Sequence, residues 1–286
     1  MSSSKAISRP MAEQIIWRSE RSSLRRGEIG PMVPWPPGKS VFFSSPLKYD
    51  RMEKTKGGTF PNETDKTKTF PIRHSPDALQ YLSGLSQELF REIYIKRDDL
   101  TPFGGGGNKL RKLEYLMIEA LNAQATTIVT VGAPQTNHGR LTAAIAAKFG
   151  LNCIIVTVGE PEAELSGNLF LDGIFGARVV LKRDDGRDKD VQLEEAAKKV
   201  IADEVKKGEQ VYFIPMGGSD TTGLLGYMDC ARELDAQAKE QQISGATVYV
   251  PVGSMGTYLG LYCGLKSIES DLKLIGIASC PLIWKN

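Results

Sequence analysis

Residues 127–158 read TIVTVGAPQTNHGRLTAAIAAKFGLNCIIVTV. The stretch opens and closes on apolar, β-branched runs, 127–131 and 153–158, which read as buried strands. Between them a polar loop leads into residues 139–149, whose apolar positions repeat at helical spacing. Strand, loop, helix and strand make a βαβ unit, and such units build a parallel sheet.

The alternation continues on both sides. Downstream come a helix over 165–175 with Gly176 at its stop, a strand over 178–181 and a charged amphipathic helix over 191–207. Then follow a strand over 211–215, a helix over 221–242, a strand over 247–252, a helix over 257–269 and a strand over 272–278. Upstream, 94–96 reads as a short strand. Residues 109–121 read as a helix that puts Leu110, Leu113, Leu116, Met117, Ala120 and Leu121 on one face. The fold class is therefore α/β, with helices on both faces of a parallel sheet and right-handed crossovers. A chain of 286 residues, 41% hydrophobic, has room for more than one domain.

Composition excludes several functions. With 36 basic and 34 acidic residues the net charge is +2, which gives no electrostatic footprint for nucleic acid. No apolar run is long enough to span a membrane. Two histidines, His74 and His138, are too few for a histidine-rich metal site, so no metal is expected. The four cysteines (Cys153, Cys230, Cys263, Cys280) form no CxxC pair and suit a reducing compartment. The first forty residues carry seven basic and three acidic residues and end in a Pro-rich run. They read as a disordered leader, with Arg18, Arg21, Arg25 and Arg26 leaving a mitochondrial transit peptide as the alternative to a cytoplasmic protein. Residues 51–70 read as a polar loop.

Ligands of open parallel sheets sit in the βα loops at the carboxyl ends of the strands. Four such loops, 101–109, 131–139, 215–222 and 252–257, are rich in glycine and polar residues. The first runs through Gly104, Gly105, Gly106, Gly107 and Asn108 to Lys109 at a helix start, where the helix dipole favours the neutral, nucleophilic amine. It is not a phosphate-binding Walker loop, because Leu110 stands where Ser or Thr is needed. The second carries Gln135, Thr136, Asn137, His138 and Arg140 around a helix N-terminus, more polar groups than capping requires. The third, 216–223, reads as a tight turn capped by Ser219 or Asp220. The fourth, Gly253-Ser254-Met255-Gly256-Thr257, can form a backbone nest for a phosphate.

Taken together, IKRDDLT, GGNKLRKLEYL, GAPQTNHGRLTAA, IPMGGSDTTGLLGY and PVGSMGTYLGLYCGL match a known family in order and spacing. They resemble the D-cysteine desulfhydrase and 1-aminocyclopropane-1-carboxylate (ACC) deaminase family over roughly residues 90–280. This is a fold type II, tryptophan-synthase-β-like branch of the pyridoxal-phosphate enzymes. The resemblance implies two α/β domains with the cofactor, pyridoxal 5'-phosphate, in the cleft. It implies a large domain over 71–117 and 223–286 and a small inserted domain over 118–222, after a leader and loop over 1–70. By the same resemblance Lys109 carries the cofactor as a Schiff base and moves the α-proton. Asn108, Asn137, Gly253, Ser254, Met255, Gly256 and Thr257 bind the cofactor. Thr136, Asn137 and His138 hold the substrate carboxylate, with Thr136 and His138 in catalytic roles. The activity implied is α,β-elimination on D-cysteine or a close small amino acid, in a homodimer.

The family's cyclopropane deaminases usually carry Gln where this chain has His138, which favours the desulfhydrase branch. Thr136 stands where Ser is commonest, and Pro134 replaces an aliphatic residue. The alternatives are ACC deamination, cysteate sulfo-elimination, or an inactive relative that binds the cofactor. Family members continue past the strand at 272–278. On that comparison the chain is expected to be a C-terminally shortened member without the family's substrate-side tyrosine, the partner of the pyridine nitrogen and the closing helices.

Overall fold

The computed structural model describes residues 15–18, 72–73, 76–160 and 166–279. The expected polar loop at 51–70, His74, the rest of the leader, and Cys280 with the segment after it lie outside the described residues.

Among the described residues nine strands form two sheets. The first sheet runs β6(Arg178–Lys182), β5(Asn152–Val158), β4(Thr127–Gly132), β7(Val211–Ile214), and every pair in it is parallel. Thr127 sits opposite both Asn152 and Val211, so the expected βαβ unit is the sheet's centre. The second sheet runs β2(Leu79–Tyr81), β3(Glu92–Lys96), β1(Ile15–Arg18), β8(Thr247–Val252), β9(Lys273–Ala278). It is mixed. β8 and β9 are parallel, whereas β1 runs antiparallel to both β3 and β8, and β2 antiparallel to β3. A parallel sheet throughout was the expectation. The antiparallel members are strands of three and four residues that lie outside the βα alternation. One of them, β1, falls within the expected leader.

The helices are α1(Ser83–Leu89), α2(Lys109–Asn122), α3(Asn137–Phe149), α4(Gly167–Ile174), α5(Lys189–Lys206), α6(Thr221–Glu240) and α7(Gly256–Ser267). Every residue of β4 is buried, as a central parallel strand requires. On one face Ile128, Ile155 and Ile214 pack with Leu113, Leu116 and Met117 of α2 and Leu141 of α3. On the other, Val129, Ile154 and Val156 pack with Leu193, Ala197 and Val200 of α5. In the second sheet Val248 and Val250 lie under Tyr227 and Leu234 of α6 and Leu261 and Leu265 of α7. Burying each such aliphatic side chain contributes about 1.5–3 kcal/mol before chain entropy is counted. Cys153 and Cys230 are buried free thiols, and Cys263 is exposed. Among the described residues no helix is long and apolar enough to cross a membrane.

Helix α2 joins the two cores, and it carries buried charges to do so. The Arg111 guanidinium donates to Asp98 at 2.9 and 3.0 Å, to Asp77 at 2.6 Å and to Glu233 at 2.9 and 3.1 Å. Lys96 adds its ammonium to Glu233, and the Tyr227 hydroxyl donates to Asp98. One turn along α2, Glu114 accepts from the backbone N–H groups of Ile72 and Arg73 at 2.9 Å each. A buried arginine is tolerated only when paired in this way, so the cluster fixes where α2 sits.

Candidate active site

The chain approaches α2 through two short 3-10 turns, Asp98–Leu100 and Phe103–Gly105. Gly106 follows at φ +72, where a Cβ would fall 2.4 Å from the Asp99 carbonyl oxygen. Only glycine allows that close pass. Arg140 of α3 donates to the Gly106 carbonyl at 2.7 Å and so ties the glycine loop to the small-sheet side.

The loop delivers Asn108 and Lys109 to the start of α2. Lys109 Nζ donates to Asn108 Oδ1 at 2.7 Å, and Asn108 Nδ2 donates to Thr257 Oγ1 at 3.1 Å. Thr257 belongs to the turn at 253–257 that opens α7. In that turn Met255 holds φ +61, and the helix starts without a side-chain cap. A cleft of about 170 Å³ lies between these elements, lined by Asn108, Lys109, Ser254, Met255, Thr257 and Tyr258 among others. Its lining includes a lysine and, among the described residues, no carboxylate.

A third loop closes on the same place. Ser219 Oγ lies 2.8 Å from Ser254 Oγ, and Asp220 caps α6 by accepting from Gly223 N at 2.7 Å. Beneath them sits Lys112, fully buried, whose Nζ donates to the Gly217 carbonyl at 3.0 Å and to Ser219 Oγ at 3.2 Å. A Cβ on Gly256 would fall 2.5 Å from Ser219 Oγ and 2.6 Å from Lys112 Nζ. Gly256 thus keeps the mouth of α7 open toward a buried ammonium group. The sequence motifs do not single out Lys112. Its signal is the spacing from Lys109, three residues on, which places both side chains on one helical face.

The structure therefore brings together Asn108, Lys109, Gly253, Ser254, Met255, Gly256 and Thr257 of the expected set. Thr136 and Asn137 stand at the N-terminus of α3 and are not among the residues lining this cleft. Thr136 caps α3, its hydroxyl accepting from Gly139 N at 3.3 Å, which leaves the hydroxyl hydrogen to donate elsewhere.

His138 differs from expectation. It is 2% exposed and packs under the third loop, with its ring 3.4 Å from where a Gly218 Cβ would be. The Thr130 hydroxyl donates its hydrogen to the Ile214 carbonyl at 2.8 Å. The hydroxyl can then only accept from His138 Nε2, 3.0 Å away, so Nε2 carries the proton and the unpartnered Nδ1 is a buried acceptor. Burial, with the charges of Lys109 and Lys112 nearby, pushes the imidazole down to about 3. A neutral ring presenting a lone pair cannot hold a carboxylate. At this position only the backbone N–H groups of the first turn of α3 can do that.

The cleft offers the Lys109 amine, the hydroxyls of Ser254, Thr257, Tyr258 and Ser279 and an uncapped helix start, with the buried Lys112 ammonium group behind Gly256. This donor set fits a small aldehyde carrying a phosphate dianion.

Comparison with known proteins agrees with that chemistry. The family described as pyridoxal-phosphate dependent enzyme matches residues 73–283. The chain is 42% identical over 208 residues to the D-cysteine desulfhydrase of Serratia proteamaculans, covering 71% of this chain and 62% of that protein. It is 44% identical over 209 residues to the D-cysteine desulfhydrase of Salmonella paratyphi B, with the same coverage. Among solved structures, an ACC deaminase homologue superposes with a TM-score of 0.65 at 38% identity, covering 71% of this chain and 60% of that one. The chain thus spans 62% of the length of these curated relatives.

Proposed function

The chain belongs to the pyridoxal-phosphate dependent enzyme family, and from that membership we propose that it catalyses α,β-elimination on D-cysteine or a close small amino acid, giving pyruvate, ammonia and sulfide. The observation that carries the reading is Lys109 Nζ beside Asn108 Oδ1, in a cleft shared with the turn at 253–257. When bound, pyridoxal phosphate supplies an electron sink that makes the α-hydrogen of an amino acid acidic.

The protein's own groups do the rest. Lys109 Nζ holds the cofactor and takes the α-proton. Asn108 orients that amine through its Oδ1 and ties itself to Thr257 through its Nδ2. Lys112, the hydroxyls of Ser254 and Thr257, and the first-turn N–H groups of α7 hold the phosphate, with Gly253, Met255 and Gly256 shaping the turn. Thr136 donates its hydroxyl to the substrate carboxylate, helped by the backbone N–H groups of Asn137 and His138. Asn137 donates its side-chain amide to the cofactor's phenolic oxygen. His138, neutral and buried, keeps a second positive charge away from the amines of Lys109 and Lys112. The reading includes a small domain over 118–222 inserted in a large one, a cytoplasmic setting and a homodimer.

The test is a substrate panel scored for sulfide, sulfite and 2-oxobutyrate, run beside borohydride reduction and peptide mapping. Sulfide from D-cysteine, with the reduced label on Lys109, is the expected result. Release of 2-oxobutyrate from the cyclopropane substrate without sulfide overturns the substrate assignment. A retained visible band without any turnover marks an inactive relative, and a label on another lysine refutes the site.

A further inference from the structure

Asn168, the second residue of α4, does not line the cleft, yet two of its atoms make three hydrogen bonds to the loop that carries Thr136 and Asn137. Its backbone N–H donates to Gln135 Oε1 at 2.8 Å. Its Nδ2 donates to the Gln135 carbonyl at 2.9 Å and to Asn137 Oδ1 at 3.0 Å. Asn168 is buried, and Gly167 before it holds φ +54 where a Cβ would fall 2.5 Å from Gln135 Oε1. The segment is therefore built to bring Asn168 onto this loop.

The orientation of these amides follows from backbone atoms, whose roles are fixed. A carbonyl oxygen can only accept, so the Asn168 atom facing Gln135 O is the NH2 group. The same NH2 group faces Asn137, so the Asn137 atom turned toward it must be the acceptor, Oδ1. The NH2 group of Asn137 is then directed away from Asn168. Gln135 is fixed in the same way, with its Oε1 on the Asn168 N–H and its Nε2 on the Ser166 carbonyl at 3.1 Å.

We propose that Asn168 is a positioning residue that locks the Asn137 side-chain amide with its donor end toward the bound ligand, so that the ligand group it meets is an oxygen anion. The inference rests on the proposed reading, in which that anion is the phenolic oxygen of pyridoxal phosphate. Asn168 touches neither cofactor nor substrate and acts only through Asn137.

The test uses the full chain loaded with pyridoxal phosphate. In Asn168→Asp a carboxylate replaces the donor, and Asn137 turns its NH2 group inward and presents Oδ1 to the ligand instead. One hydrogen bond to a charged group is then lost, and cofactor affinity falls roughly ten- to a hundredfold. The pH midpoint of the cofactor's visible absorbance moves up by about one unit, because a donor on the phenolic oxygen favours the form that has given up its proton. Asn137→Asp removes the same donor without touching α4 and shifts the midpoint in the same direction. In an Asn137→Ala background, Asn168→Asp produces no further spectral shift. An equal shift in both backgrounds shows that Asn168 does not act through Asn137 and overturns the proposal. A chain labelled at Lys109 whose affinity and midpoint are unchanged by Asn168→Asp overturns this inference alone. A native chain that takes no label at Lys109 overturns the parent reading and this one with it.

Discussion

Asp172 is a carboxyl group buried in α4 with neither oxygen hydrogen-bonded. Burial raises it from 3.8 to about 7, against the pull of Arg140, whose guanidinium is held by the Gly106 carbonyl. Between those two pH values the unfolded chain has lost a proton that the folded chain keeps. Stability is thus complete below about pH 4, falls as the pH rises toward 7, and is constant above it. At 1.36 kcal/mol per pH unit the loss reaches at most about 4 kcal/mol. Asp172→Asn has nearly the same shape and cannot ionise. Its stability should match the native chain near pH 4 and exceed it by up to about 4 kcal/mol at pH 8. Urea unfolding of both proteins at half-unit steps from pH 4 to pH 8.5 measures the difference, and every other titrating group cancels in it. A difference that does not change with pH refutes the claim that Asp172 is neutral in the fold.

Arg111→Met should cost about 3–5 kcal/mol, because it leaves Asp98 buried without an ionic partner among the described residues and takes one of the partners of Asp77 and of Glu233. A denaturation midpoint that stays in place contradicts this. Gly256→Asp puts a carboxylate against Lys112 Nζ, where it takes the cation the phosphate needs. Equilibrium dialysis should show cofactor affinity reduced on the order of 10² to 10³, the scale of one charge contact in a partly screened site. With His138 at about 3, the imidazole gives no limb to the kcat/KM profile between pH 5 and 8. His138→Gln should leave the shape of that profile intact, and loss of a limb near pH 6.5 counts against a neutral ring.

The βα alternation from β4 to β9 is legible because buried parallel strands are apolar on both faces while the helices between them are striped. The elements that escape are too short to carry a period. α1 has seven residues and buries only Ser86, so it shows no apolar face. β1 and β2 have four and three residues. Of the site, the loops and Lys109 can be found because glycine and polar residues cluster where an α/β sheet needs a ligand. The state of His138 cannot, because its tautomer is set by Thr130 and, through it, by a carbonyl 84 residues further along the chain. Asn168 is hidden for the same reason. Its meaning lies in Gln135 and Asn137, 33 and 31 residues away.

Strand β1 has a consequence for how the protein is made. Ile15 pairs with Ile95 on one side and with Tyr249 on the other. On the ribosome, β3 emerges early enough to take one edge of β1, but the other edge waits until β8 has been synthesised. At about 5–20 residues per second, that interval is roughly 8 to 30 s. The four-stranded sheet, whose last strand ends at Ile214, can close its hydrogen bonds within that time. The nascent chain therefore carries one finished sheet and one open strand edge, the kind of surface that pairs with other chains. Slower elongation between β3 and β8 should raise losses to aggregation without altering the stability of the protein once it is complete.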